Sequence, residues 1–209
     1  MLTSKTTLAG LLLMLAACSQ EQGSPIVVYG DSTAIASRIP LSEKFWNVAP
    51  SWDRQRWFNL LGRPVTNNGK AGALISRVTE RITADPSQRG TTTIIYDLVN
   101  VEEDAAGYVA ELARAVSRLE TDEFLIIPQV PDAYSEDRGQ NMPSRRTRPV
   151  IDRMVAARWP MHTFSPAERQ AFYAELADPA TRYDGIHRNT RGQQIEAAHI
   201  KRWLDARGW

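Results

Sequence analysis

Pro25-Ile26-Val27-Val28-Tyr29-Gly30-Asp31-Ser32 is the stretch on which the reading of this chain turns. Three β-branched residues and a tyrosine run without a polar break, the pattern of a strand buried on both faces. Gly30 ends it, and glycine permits the sharp reversal of a strand-to-turn junction. Ser32 therefore stands at the carboxyl end of a buried strand, the edge at which open parallel sheets gather their functional side chains. A Gly-Asp-Ser triplet alone also has an ordinary reading, in which the Ser or Asp caps the next helix. The remaining sequence has to choose between them.

Working outward, residues 91–96 (Thr-Thr-Thr-Ile-Ile-Tyr) and 124–128 (Phe-Leu-Ile-Ile-Pro) are two further strands, and 65–68 is a short one that runs into the glycine-containing turn 69–72. Helical spacing of apolar residues predicts helices over 52–61, stopped by Gly62-Arg63-Pro64, over 74–82, and over 105–119 with Tyr108, Leu112, Val116 and Leu119 on one face. A polar stretch at 131–149, with three prolines and Arg138, Arg145, Arg146 and Arg148, reads as a long loop before a helix at about 150–159. Ser165-Pro166-Ala167-Glu168 is a capping box with proline at the first helical position, opening a helix to about Leu176. A last helix spans about 190–206, with Ile195, Ala198, Ile200 and Leu204 among its apolar positions. Short apolar strands alternating with helices imply right-handed crossovers and a parallel sheet, an α/β fold.

The 209 residues suit one domain, and 43% apolar with 23% charged residues exclude wholesale disorder. A net charge of +1 gives no bulk electrostatic grip on nucleic acid. The one cysteine, Cys18, permits neither an internal disulfide nor a cysteine metal cluster. It follows Leu15-Ala16-Ala17, at the end of an apolar run at 8–17 that is too short for a permanent membrane span and is preceded by Lys5. This resembles the lipobox of bacterial lipoproteins. The resemblance implies a signal peptide at 1–17, a Cys18 carrying acyl chains, a polar tether to residue 24, and a folded domain at 25–209, anchored in the cell envelope. Ser19 after the cysteine implies the outer membrane where the source has two membranes.

Serine hydrolysis requires an exposed hydroxyl nucleophile, a histidine to take its proton, a carboxylate to orient the imidazole, and donors for the developing oxyanion. Ser32 fits the first. Asp184-Gly185-Ile186-His187 supplies an acid and a base at i, i+3, close enough in a turn for the carboxylate to reach Nδ1 while Nε2 faces outward. Of the other histidines, His199 falls inside the last helix and His162 has no carboxylate at a comparable spacing. Asp31 adjoins Ser32, but its place in the turn suits a structural hydrogen bond across it. No Gly-x-Ser-x-Gly elbow, metal-ligand spacing, phosphate loop or dinucleotide fingerprint occurs. The chemistry expected here uses no metal and no cofactor.

These residues resemble the SGNH, or GDSL-type, hydrolase superfamily over 25–204. Gly30-Asp31-Ser32 matches its first block and Asp184 with His187 its last. Asn67-Asn68-Gly69-Lys70-Ala71-Gly72 matches the second block and Asn100 the third. The resemblance implies a three-layer α/β/α sandwich with a five-stranded parallel sheet, flavodoxin-like in its layering. It also implies an oxyanion hole from the N–H groups of Ser32 and Gly72 and the Asn100 side chain. The third block departs from the family pattern: Leu98-Val99-Asn100-Val101 lacks both its glycine and its following aspartate, and losing one such donor costs about 2.7–4 kcal/mol in the transition state.

The expected activity is hydrolysis of acyl esters, acetyl or short-chain, on an O-acylated glycan or lipid. The alternatives are a lysophospholipase or thioesterase using the same triad, and a non-catalytic envelope lipoprotein that keeps the fold. Two accessory readings stay open. Trp46, Trp52 and Trp57 either line a sugar platform or pack the core, and the 131–149 segment either covers the cleft or is a solvated loop.

Overall fold

A computed structural model describes residues 23–34, 56–70, 72–96, 104–128, 143–182 and 187–209. Four strands, β1 (Ile26–Tyr29), β2 (Val65–Asn67), β3 (Thr92–Tyr96) and β4 (Phe124–Ile127), form a parallel sheet in the order β2-β1-β3-β4. Val28 stands beside Asn67 on one side and Ile94 on the other, so β1 is interior. This explains its unbroken apolar run: every residue of β1, β3 and β4 is buried.

The helices are α1 (Ile75–Ala84), α2 (Ala105–Val116), α3 (Pro143–Arg158), α4 (Pro166–Ala177) and α5 (Thr190–Asp205), with a 3-10 helix at Trp57–Leu61. Alternation along the strands sorts the core into two slabs. Val28, Ile94, Tyr96 and Leu125 pack with Trp57, Phe172, Ile200 and Trp203, beneath the 3-10 helix, α4 and α5. Val27, Tyr29, Ile95 and Ile126 pack with Ile82, Leu112 and Ile151, beneath α1, α2 and α3. The result is a sheet with helices on both faces.

Two expectations need correction. The described residues hold four strands, not five. Next to β4, where a fifth would lie, the chain makes a single parallel bridge, Ile126 to Thr163, with Ile126 N donating to the His162 carbonyl at 2.7 Å. That segment is hemmed by Trp159-Pro160 before it and by the Ser165 cap of α4 after it, which leaves no length for a ladder. Second, the 131–149 loop ends early, because α3 begins at Pro143 and carries Pro149 inside it. Pro143 takes the first helical position, where a missing N–H costs nothing. Pro149 forgoes one helical bond, and the burial of Ile151 and Val155 next to it offsets that loss. The inner face of α5 carries Gln193, Glu196, Ala197, Ile200, Trp203 and Leu204, while Ala198 is exposed and Ile195 only half-buried.

The capping box stands as read: Ser165 Oγ accepts from Glu168 N, and Glu168 Oε2 accepts from Ser165 N at 2.7 Å. Among the described residues no helix is long and apolar enough to cross a membrane. Cys18 and the lipobox-like stretch before it lie outside them.

Candidate active site

The turn after β1 is shaped by a close approach. A Cβ added at Gly30 would sit 2.5 Å from Ala34 Cβ and 2.9 Å from Tyr96 Cβ, so only glycine lets the chain pass there. Asp31 is fully buried, and its Oδ1 accepts from Thr33 N at 2.9 Å and Thr33 Oγ at 2.7 Å. The turn is pinned again at Ala34, whose carbonyl accepts from Trp57 Nε1 and from Asn67 Nδ2, each at 3.2 Å. Trp57 is fully buried and touches the rings of Phe58 and Tyr96, so it packs the core and lines no sugar platform. Trp46 and Trp52 lie outside the described residues.

From the far end of the chain, His187 reaches the same turn. Its Nε2 lies 3.0 Å from Ser32 Oγ, and both residues are buried. The segment that presents His187 is clamped at its ends: Arg182 and Arg188 form an antiparallel bridge, and Asn189 N donates to the Thr181 carbonyl at 2.9 Å. Asp184 falls between those ends in the sequence but outside the described residues, as does Asn100. The other two histidines are engaged elsewhere. His162 stacks on Phe124 with Nδ1 3.1 Å from the Phe124 carbonyl, and His199 Nε2 lies 3.1 Å from Glu175 Oε1.

The turn after β2 lies against the Ser32 turn, because Lys70 N donates to the Gly30 carbonyl at 2.9 Å. Asn67 shapes it, accepting from Gly69 N at 2.9 Å. Gly72 has φ +71°, a backbone conformation that disfavours side chains, while a Cβ there would meet nothing within 4 Å; glycine serves the backbone at this position and not the space. Asn68 donates to Asp85 at the end of α1, and Tyr29 Oη donates to the same carboxylate at 2.7 Å. Burial, then Asp85, pushes the Tyr29 phenol well above its ordinary range.

The sequence did not disclose a buried polar group bound to Arg188, the residue after His187. Glu196 Oε1 on α5 accepts from Tyr96 Oη at 2.5 Å and from Arg188 Nε at 3.1 Å. Burial pushes the Glu196 carboxyl up, and the Arg188 guanidinium pulls it back. Burial, then the Glu196 charge, raises the Tyr96 phenol, which keeps it a donor. Gln193, one turn earlier, accepts from Trp57 N at 2.8 Å. The available signal was the i, i+3 spacing of Gln193 and Glu196 in register with Ile200, which puts all three on one helix face. Among the described residues, no three His, Cys, Asp or Glu side chains come together as a metal site.

A serine hydroxyl within hydrogen-bond reach of an imidazole, at the carboxyl edge of a parallel sheet, is the geometry of an activated nucleophile. Among solved structures the chain is similar to a lipase/acylhydrolase from Enterococcus faecalis, at 15% identity and a TM-score of 0.65 over 88% of this chain and 96% of that one. It is similar to a variant of an acetyl-xylooligosaccharide esterase from Geobacillus, at 18% identity and a TM-score of 0.60 over 88% and 94%. It also resembles a lipolytic protein of the G-D-S-L family from Desulfitobacterium hafniense, at 15% identity and a TM-score of 0.60 over 87% and 99%. No family model and no curated protein matches the sequence. The fold is thus the α/β sandwich of the G-D-S-L lipolytic proteins.

Proposed function

We propose that this protein is a serine esterase that hydrolyses acetyl or other short-chain acyl esters. The observation that carries the reading is the 3.0 Å contact between Ser32 Oγ and His187 Nε2 at the carboxyl end of β1. In this reading His187 takes the Ser32 proton as the oxygen attacks the ester carbonyl. It then gives that proton to the leaving alcohol. Asp184 orients the imidazole. The N–H groups of Ser32 and Gly72, with the Asn100 amide, receive the oxyanion. A water that gives its proton to His187 then frees the acid from acyl-Ser32. The esterase neighbours support the substrate class, and the O-acyl groups of envelope glycans or lipids are its natural source.

The lipobox supports a location. Cleavage before Cys18 and acylation of its thiol would tether the domain to the envelope, at the outer membrane where there are two. Incorporation of an alkyne-labelled fatty acid into the full-length protein, and its loss in Cys18→Ser, tests this.

The test of the activity is p-nitrophenyl ester hydrolysis across acyl lengths by a protein beginning at Ser19, alongside Ser32→Ala. Turnover greatest on acetate is expected, with a loss of about four orders of magnitude or more in Ser32→Ala at an unchanged thermal midpoint. A maximum on long chains would shift the substrate to lipid or thioester. Full activity in Ser32→Ala would overturn the assignment.

A further inference from the structure

We infer that Tyr96, Glu196 and Arg188 form a positioning network that aims His187 at Ser32, a role that rests on the esterase reading. The three side chains close a circuit around the reacting pair. Tyr96 packs against the nucleophile turn, where its Cβ leaves no room for a side chain at Gly30. Its hydroxyl donates to Glu196 Oε1, and the same oxygen accepts from Arg188 Nε. Arg188 is the residue next to His187, and His187 returns to Ser32.

The backbone beside His187 is held from two sides. Arg188 is held in an isolated antiparallel bridge with Arg182, directly after the bend at His187. Holding Arg188 on Glu196 therefore fixes the backbone one residue from His187, whose Nε2 lies 3.0 Å from Ser32 Oγ. Gln193 Nε2 holds the Arg188 carbonyl at 3.5 Å, which braces the main chain at the same residue.

Stability is a poor reason for this arrangement. Arg188 and Glu196 are 8% and 1% exposed, and a buried ion pair often contributes less than apolar residues of the same volume. It does supply a fixed direction, because a charged pair in a dry interior tolerates little displacement. The network thereby joins three separate parts of the chain: the end of β3, the segment bearing the base, and α5.

Two nearly isosteric variants test it, Tyr96→Phe and Glu196→Gln, with Val78→Ala in α1 as a destabilising control on the opposite face of the sheet. On a short-chain p-nitrophenyl ester, kcat is expected to fall about 10- to 100-fold in Glu196→Gln, with KM changed by less than about two-fold, the size of effect that a misplaced catalytic group produces. The double variant Tyr96→Phe/Glu196→Gln should be little worse than Glu196→Gln alone, because both remove the same circuit. Val78→Ala should lower the thermal midpoint and leave kcat in place. If Glu196→Gln lowers the thermal midpoint and leaves kcat as Val78→Ala does, the role is structural and the inference is overturned. A crystal structure of Glu196→Gln reads the same point without substrate. The Ser32–His187 contact is expected to open beyond about 3.5 Å, and retention of the 3.0 Å contact would count against the network. Absence of Ser32-dependent turnover in the wild type would sink the esterase reading and leave the crystallographic comparison to decide the positioning.

Discussion

Asn67 donates its side-chain N–H to the carbonyl of Ala34, two residues past Ser32, at 3.2 Å, while its own Oδ1 holds Gly69 N. One amide thus fixes the spacing between the turn that carries Ser32 and the turn that carries Gly72. Asn67→Ala removes both bonds and is expected to cost about 1–2 kcal/mol in urea unfolding. Ser32-dependent turnover should fall by more than the stability loss explains. Asn67→Asp keeps the acceptor and sets a carboxylate against the Ala34 carbonyl, so it should behave no better than Ala. Equal activity in all three proteins would remove Asn67 from the site's architecture.

Gly30 is the position where a single methyl group does the most damage. The added carbon of Gly30→Ala meets Ala34 Cβ, Tyr96 Cβ and the Tyr96 carbonyl, none of which is the far end of a flexible chain. A loss of about 1–3 kcal/mol is expected from overpacking, read from the urea midpoint. Activity should fall with it, because the strain is relieved only by moving the Ser32 turn.

His199 sets a pH dependence of folding. Burial holds its pKa below the ordinary histidine value, against the opposing pull of Glu175. The unfolded chain therefore binds a proton more readily than the folded one. The His199 contribution is complete above the ordinary histidine pKa, about 6.5, and is lost as pH falls below it. Urea midpoints measured from pH 7.5 to 5.5 should decline in the wild type and decline less in His199→Gln. Parallel slopes in the two proteins would contradict this.

The cap of α4 is remote from the chemistry and separates stability from activity. Ser165→Ala breaks the reciprocal pair with Glu168 and should cost about 1 kcal/mol. Ester turnover below the melting range should be unaffected.

How far the sequence discloses this molecule depends on where each residue's fate is decided. The runs 26–29, 92–96 and 124–127 are legible because strands buried on both faces leave a continuous apolar signature. The cap at Ser165 is legible because it is local chemistry. The start of α3 is not, since Pro143 and Pro149 argue for loop and only the distant core around Ile151 and Val155 argues for helix. The five-stranded sheet came from a family resemblance and not from the residues at 160–164, which make one bridge. The meeting of Ser32 with His187 was suggested by two short motifs, but the distance between them is a product of the whole fold. Glu196 and Arg188 were invisible because charged residues read as solvent-facing until a partner is known.

The sheet order has a last consequence, in the timing of assembly. β1 is the first strand to be made among the described residues, yet it is interior, and its pairings join Ile26 to Val65 and to Thr92, far along the chain. Parallel, non-local pairings of this kind form slowly, because loops must close before any contact rewards them. A chain emerging amino end first therefore holds β1 unpaired until β2 has been made, and leaves its other edge open until β3 follows. It cannot bring an imidazole to Ser32 until its final segment, from His187 onward, has packed against the sheet. The Ser32 hydroxyl is accordingly left without its imidazole partner through most of synthesis.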